Sequence, residues 1–204
     1  MVKIKICGMM REQDCECLNR VLPDCAGFIF AEKSRRYITP ETAARFRGIL
    51  DRKIRTFGVF LNEDISKVCE IASKGIIDVV QLHGSESDDY IREVKDRTGL
   101  TVVKAFLIHG AGDIGPAMQS AADILLLDNG CGTGESFDWD YLEDVDRLYY
   151  LAGGLTPENV GTAVSRYSPY GVDVSSGVET DGQKDPDKIA RFVQTARSSD
   201  FTNR

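Results

Sequence analysis

Eight short apolar runs, each separated from the next by a longer stretch, constrain this 204-residue chain more than any other feature. They cover residues 3–7, 26–30, 56–60, 79–82, 102–106, 124–127, 148–152 and 171–174. The intervals between them are about 22 to 30 residues, the spacing of strand–helix units and not of hairpins. Segments 11–22, 39–50, 64–74, 156–167 and 185–198 carry the spaced apolar positions and charges of surface helices, 113–120 those of a weaker helix, and 138–145 a turn of helix. The runs are apolar on both faces, as strands covered by helices must be.

An open doubly wound sheet usually has five or six strands, whereas eight consecutive βα units close into a barrel. The expected fold is therefore α/β, a (β/α)8 TIM barrel, with residues 1–204 as a single domain. The chain is near the short limit for such a barrel, so its loops must be brief. The polar tail 198–204 is expected to fray.

A net charge of -7 argues against nucleic acid as a partner, which requires a positive surface. No stretch is long enough to span a membrane, and the N-terminus has no apolar signal region. Six cysteines at 7, 15, 17, 25, 69 and 131 form no CxxC pair, so neither a metal site nor a disulfide framework is expected. Cys15 and Cys17 read as small apolar filler in a reducing compartment, and the protein as cytoplasmic.

In a barrel of this kind the active site lies at the C-terminal ends of the strands. The first run alternates, with Ile4 and Ile6 on one face and Lys3, Lys5 and Cys7 on the other. Cys7 thus stands at a strand end, either as a reactive thiol or as buried filler. Asp128 follows the apolar run Leu125-Leu126-Leu127, where burial would raise its pKa and make it a proton donor; it could equally begin a turn with Asn129 and Gly130. A base and an acid at one rim are what proton movement between neighbouring substrate atoms requires.

Gly153-Gly154 after the seventh run and Ser175-Ser176-Gly177 after the eighth would bring backbone N–H groups close to an anion, the usual phosphate position in barrels. Lys33-Ser34-Arg35-Arg36 is a local basic cluster, and a guanidinium suits a carboxylate; Lys33 and Arg35 fit a solvated loop. Gln81 and His83, two apart, share a strand face that would look into the lumen, with His83 either packed or in contact with ligand. Lys104, within an apolar run, is expected to be an interior charge paired with a carboxylate.

The stretches Lys5-Ile6-Cys7-Gly8, Ser34-Arg35-Arg36-Tyr37, Gly58-Val59-Phe60-Leu61-Asn62, Val80-Gln81-Leu82-His83-Gly84, Leu127-Asp128, Gly132-Thr133-Gly134 with Phe137-Asp138-Trp139, Ala152-Gly153-Gly154-Leu155 and Gly171 through Glu179 run from end to end in order. Together they make the chain resemble the phosphoribosylanthranilate isomerases of tryptophan biosynthesis. That resemblance implies an Amadori rearrangement of N-(5-phosphoribosyl)anthranilate to 1-(2-carboxyphenylamino)-1-deoxyribulose 5-phosphate, with neither cofactor nor metal. It implies Asp128 as general acid and Cys7 as base. It also implies that Arg36 holds the substrate carboxylate, that Gly154, Ser175 and Ser176 hold the phosphate, and that Asp173 contacts the sugar or orders the phosphate loop. The chain departs from the family pattern at Met10, Cys131 and Glu135, which bears on loop closure and rate.

The implied partner is a small molecule bearing phosphate and carboxylate, bound by a monomer or homodimer. Two other readings are the related isomerase of histidine biosynthesis, alone or with dual substrates, and a non-catalytic barrel that binds a phosphate ligand. The first uses two aspartates where this chain has Cys7 and Asp128; the second needs no proton-transfer pair.

Overall fold

The computed structural model describes residues 1–128 and 139–200, apart from the side chain of Asp144. Eight parallel strands form the expected barrel: β1 (Lys3–Cys7), β2 (Cys25–Ile29), β3 (Arg55–Phe60), β4 (Val79–Leu82), β5 (Thr101–Leu107), β6 (Ile124–Asp128), β7 (Tyr149–Leu151) and β8 (Gly171–Val174). Each pairs with the next in sequence, and β8 returns to β1, so the barrel itself has no open edge. Around them lie α1 (Glu12–Val21), α2 (Pro40–Ile49), α3 (Ile65–Ser73), α4 (Asp88–Thr98), α5 (Ile114–Met118), α6 (Val160–Tyr167) and α7 (Pro186–Asp200).

Three differences from the sequence reading have local causes. Apolar spacing predicts no helix between β4 and β5, where α4 has a Ser87 cap that accepts the Tyr90 N–H, acids in its first turn and Gly99 at its left-handed end. Its charge dilutes the apolar periodicity on which the reading rests. α7 runs through Ser198 to Asp200, past the point at which the tail was expected to fray, while residues 201–204 lie outside the described part. A two-stranded hairpin, β9 (Glu179–Thr180) with β10 (Gln183–Lys184), follows β8 and turns through Asp181 and Gly182, both at positive φ. Asp-Gly is the dipeptide such a turn favours. The turn of helix expected at 138–145 is present as a 3-10 turn at Trp139–Asp144, residue 138 being outside the described residues.

Alternation along the strands makes two cores. Outward residues such as Ile4, Ile6, Phe28 and Val80 pack against the helices, whereas Cys25, Phe57, Val79, Val103, Leu126 and Tyr150 fill the lumen. The two ends of the barrel are built differently. At the N-terminal end Asp24, Asp78 and Asp123, each just before an even-numbered strand, accept a backbone N–H from the preceding odd strand. Asp24 takes that of Ile4 (3.1 Å), Asp78 that of Thr56 (2.7 Å) and Asp123 that of Val102 (2.8 Å). Each carboxylate also meets a cation, respectively Lys3, Arg47 and Lys95. The C-terminal end carries instead the polar residues singled out in the sequence.

Candidate active site

All ten residues expected at the site line one cavity of about 200 Å³ at the C-terminal mouth of the barrel. Asn129, Gly130, Cys131, Gly132, Thr133, Gly134, Glu135, Phe137 and Asp138, which also entered the sequence reading, lie outside the described residues. Met10 is described, and its backbone N–H donates to Asp14 Oδ2 at 3.0 Å; that bond does not depend on the residue's side chain.

Cys7 ends β1 with only 6% of its surface exposed. Its thiol occupies space opened by Gly27 on β2: a Cβ at residue 27 would stand 2.7 Å from Sγ. Two residues earlier on the same face, the fully buried Lys5 donates to both carboxylate oxygens of Asp173 at 3.0 and 2.9 Å. Asp173 is Lys5's registered neighbour on β8, so the pair spans the seam that closes the barrel. Burial works to lower the Lys5 pKa, but the charge of Asp173 and the influence of Cys7 outweigh it, so Lys5 remains an ammonium. Burial pushes the Cys7 thiol above its ordinary value, while Lys5 and Lys184 pull against that shift.

Across the mouth, β6 delivers Asp128. Its side chain keeps 19% exposure, so the burial anticipated from the apolar run before it is incomplete. His83 Nε2 is 3.8 Å from Asp128 Oδ2. The other ring nitrogen meets Gln81 Nε2 at 3.2 Å, which places both β4-side residues toward the lumen as the period of two requires. Burial lowers the His83 pKa against the pull of Asp128, so its neutral ring accepts from the Gln81 amide and directs Nε2–H toward the carboxylate. Lys104 points away from the cavity and pairs with buried Glu86 at 3.2 Å, the carboxylate the sequence left unnamed.

Two cationic or open-backbone regions flank this acid and thiol. Gly153 and Gly154 both adopt positive φ after β7, a conformation that favours glycine. Facing them is the loop Ser175–Gly177, where Gly177 lies so close to the Leu155 carbonyl that no side chain fits between the loops. On the other side Arg36, 15% exposed, is held by Glu179 through Nε–Oε1 (2.7 Å) and Nη2–Oε2 (2.9 Å). Arg35 is exposed as expected, but it too reaches Glu179, at 2.9 Å. Burial would raise the Glu179 carboxyl, and the bonds from Arg36 and Lys184 outweigh that and hold it below its usual range.

Lys5, Gln81, Glu179 and Lys184 carry no role in the sequence reading. Lys5 shares the face of Cys7 and Gln81 that of His83, so alternation was the available signal for both. Glu179 and Lys184 become legible only once the Asp181-Gly182 turn brings β10 back alongside β9 and the loop after β8.

The family described as N-(5'phosphoribosyl)anthranilate (PRA) isomerase matches residues 4–195. An N-(5'-phosphoribosyl)anthranilate isomerase of Endomicrobium trichonymphae is 43% identical over 203 residues, covering 97% of this chain and all of the relative. The chain superposes on phosphoribosyl anthranilate isomerase from Thermotoga maritima with a TM-score of 0.88 at 37% identity, covering 97% and 100% of the two chains. A phosphoribosyl anthranilate isomerase crystallised with reduced 1-(o-carboxyphenylamino)-1-deoxyribulose 5-phosphate gives 0.85 at 36% identity, with the same coverage.

Proposed function

The chain belongs to the phosphoribosylanthranilate isomerase family of tryptophan biosynthesis, and from that membership we propose which of its residues carry out the Amadori rearrangement. The observation that carries the assignment is the meeting, in one cavity, of a thiol beside a buried ammonium, a carboxylate across the mouth, the Arg36 guanidinium, and the open glycine- and serine-containing loops after β7 and β8. The substrate has matching parts: a carboxylate on its aromatic ring, a phosphate at the far end and a sugar between them.

Asp128 donates a proton to the furanose oxygen. The C1–O bond then breaks while the nitrogen lone pair forms a C1=N iminium. Cys7, as thiolate, removes the proton from C2, and the electron pair of that C–H bond becomes the C1=C2 bond of an enol-amine as the nitrogen regains its lone pair. Ketonisation returns a proton to C1 and releases the one on the C2 oxygen, so the product is an isomer of the substrate. Lys5 keeps positive charge beside the thiolate, and Asp173 holds Lys5 there. His83 and Gln81 orient Asp128. Arg36 takes the substrate carboxylate, and the loops at Gly153–Gly154 and Ser175–Gly177 take the phosphate.

Among the described residues no helix is long and apolar enough to cross a membrane. The described cysteines are all free, which supports the cytoplasm as the working compartment. The chain works as a monomer or homodimer, a choice that light scattering on the purified protein settles.

The decisive assay follows loss of phosphoribosylanthranilate fluorescence by the protein, by Cys7→Ala and by Asp128→Asn. Each variant is expected to lose at least about 10³-fold in kcat while binding a product analogue within a few fold of the parent. Retained turnover in Cys7→Ala would remove the thiol from the mechanism, and a large loss of analogue affinity in either variant would recast that residue as a binding group.

A further inference from the structure

Lys184 stands on β10, outside every motif of the sequence, yet its side chain is only 1% exposed. Its ammonium donates to the Ser175 carbonyl at 2.9 Å, to the Ser175 hydroxyl at 3.3 Å and to Glu179 Oε1 at 2.7 Å. Glu179, with 4% exposure, directs its remaining bonds to Arg36 and Arg35. Ser175 in turn donates its hydroxyl to the Cys7 carbonyl at 3.0 Å. A buried ammonium without partners would be expensive, and each partner found here belongs to the site or holds a residue of it.

We propose that Lys184 is a positioning residue that locks the loop after β8 and, through Glu179, the guanidinium of Arg36 into one unit, so that both anionic ends of the substrate are gripped in register with Cys7. The proposal rests on the assignment of Arg36 to the carboxylate and of the β8 loop to the phosphate. The peptide geometry favours it: with the Ser175 carbonyl turned to Lys184, the N–H at the other end of that planar unit points the opposite way. The charge balance favours it as well. Three cations meet one carboxylate, so the cluster stays positive beside a ligand with two anionic groups. The hairpin that carries Lys184 is itself fixed, because Arg11 Nη2 donates to the Lys184 carbonyl at 3.0 Å while pairing with buried Asp14 at 2.7 Å.

Lys184→Met keeps the length and removes the charge, Lys184→Arg keeps the charge, and Glu179→Gln keeps the shape. With phosphoribosylanthranilate as substrate and inorganic phosphate as competing probe, Lys184→Met is expected to raise KM about tenfold and to weaken phosphate inhibition similarly, with a smaller loss in kcat. The charged groups facing Cys7 are Lys5 from β1, Asp173 from β8 and Lys184 from β10, with Arg36, His83 and Asp128 on the same cavity. Removing only Lys184 should move the acid limb of kcat/KM to higher pH. Lys184→Arg should restore the limb, and Glu179→Gln should raise KM without moving it.

A folded Lys184→Met with unchanged KM and limb overturns the proposal. So does a loss confined to the active fraction, with KM and limb in place, because that marks a merely structural lysine. If Lys184→Met does not fold, Glu179→Gln decides, and an unchanged KM there overturns the coupling. Arg36→Met separates the two layers. A raised KM there beside an unchanged one in Glu179→Gln defeats the coupling alone, whereas an unchanged KM in Arg36→Met defeats the carboxylate assignment and the proposal with it.

Discussion

At the scale of the residue, the site is governed by what each side chain is denied. Cys7 is denied water, which pushes its thiol up, and Lys5 and Lys184 supply the opposing charge. Since the thiolate is the proposed base, kcat/KM should fall as pH drops through the Cys7 value, with the acid limb above the range of an ordinary cysteine; a pH–rate profile beside Cys7→Ser checks this. Gly177 is denied a side chain, because a Cβ would collide with the Leu155 carbonyl and force apart the two loops assigned to the phosphate. Gly177→Ala should therefore raise KM about tenfold and cost about 1–3 kcal/mol of stability, measurable by steady-state kinetics and urea unfolding. The placement of these residues was partly readable in advance. Cys7, Asp128 and the small-residue loops occupy strand ends that periodicity alone locates, whereas Glu179 acts on Arg36 across more than a hundred residues of chain, a contact that no local pattern encodes.

At the scale of the element, the strands were legible because each is a short apolar run, and a buried parallel strand has little else to be. The helices were less so: α4 hides its apolar stripe under dense charge, and α5 is barely more than one turn. The three aspartates at the N-terminal ends of even strands look like ordinary turn residues in the sequence, yet they tie strands together in pairs. Asp78 serves both the buried N–H and the hydroxyl of Thr56, at 2.7 and 3.1 Å. Asp78→Ala leaves that N–H without its partner and should cost about 1–3 kcal/mol in denaturant unfolding, with kcat and KM unchanged because the clamp is at the opposite end from the site.

At the scale of the whole molecule, the core imposes a pH limit. Burial raises the thiols of Cys25 to about 11 and Cys15 to about 12, from 9.0. Above pH 9 the unfolded chain releases these protons while the folded chain retains them, so stability is complete below that pH and declines as pH rises toward 11. For Cys25 the loss across this window amounts to about 2–3 kcal/mol. Thermal unfolding between pH 8 and 11 should show a falling Tm, and Cys25→Ala should flatten part of the slope even as it lowers the starting value. The closed outline follows from counting eight strand units, but the way they are joined does not. The aspartate clamps bind β1 to β2, β3 to β4 and β5 to β6, giving six of the eight strands the rhythm of two-strand cassettes. Cuts in the loops after β2 and after β4 would leave each clamped pair of strands covalently whole, so every clamp would stay within one piece.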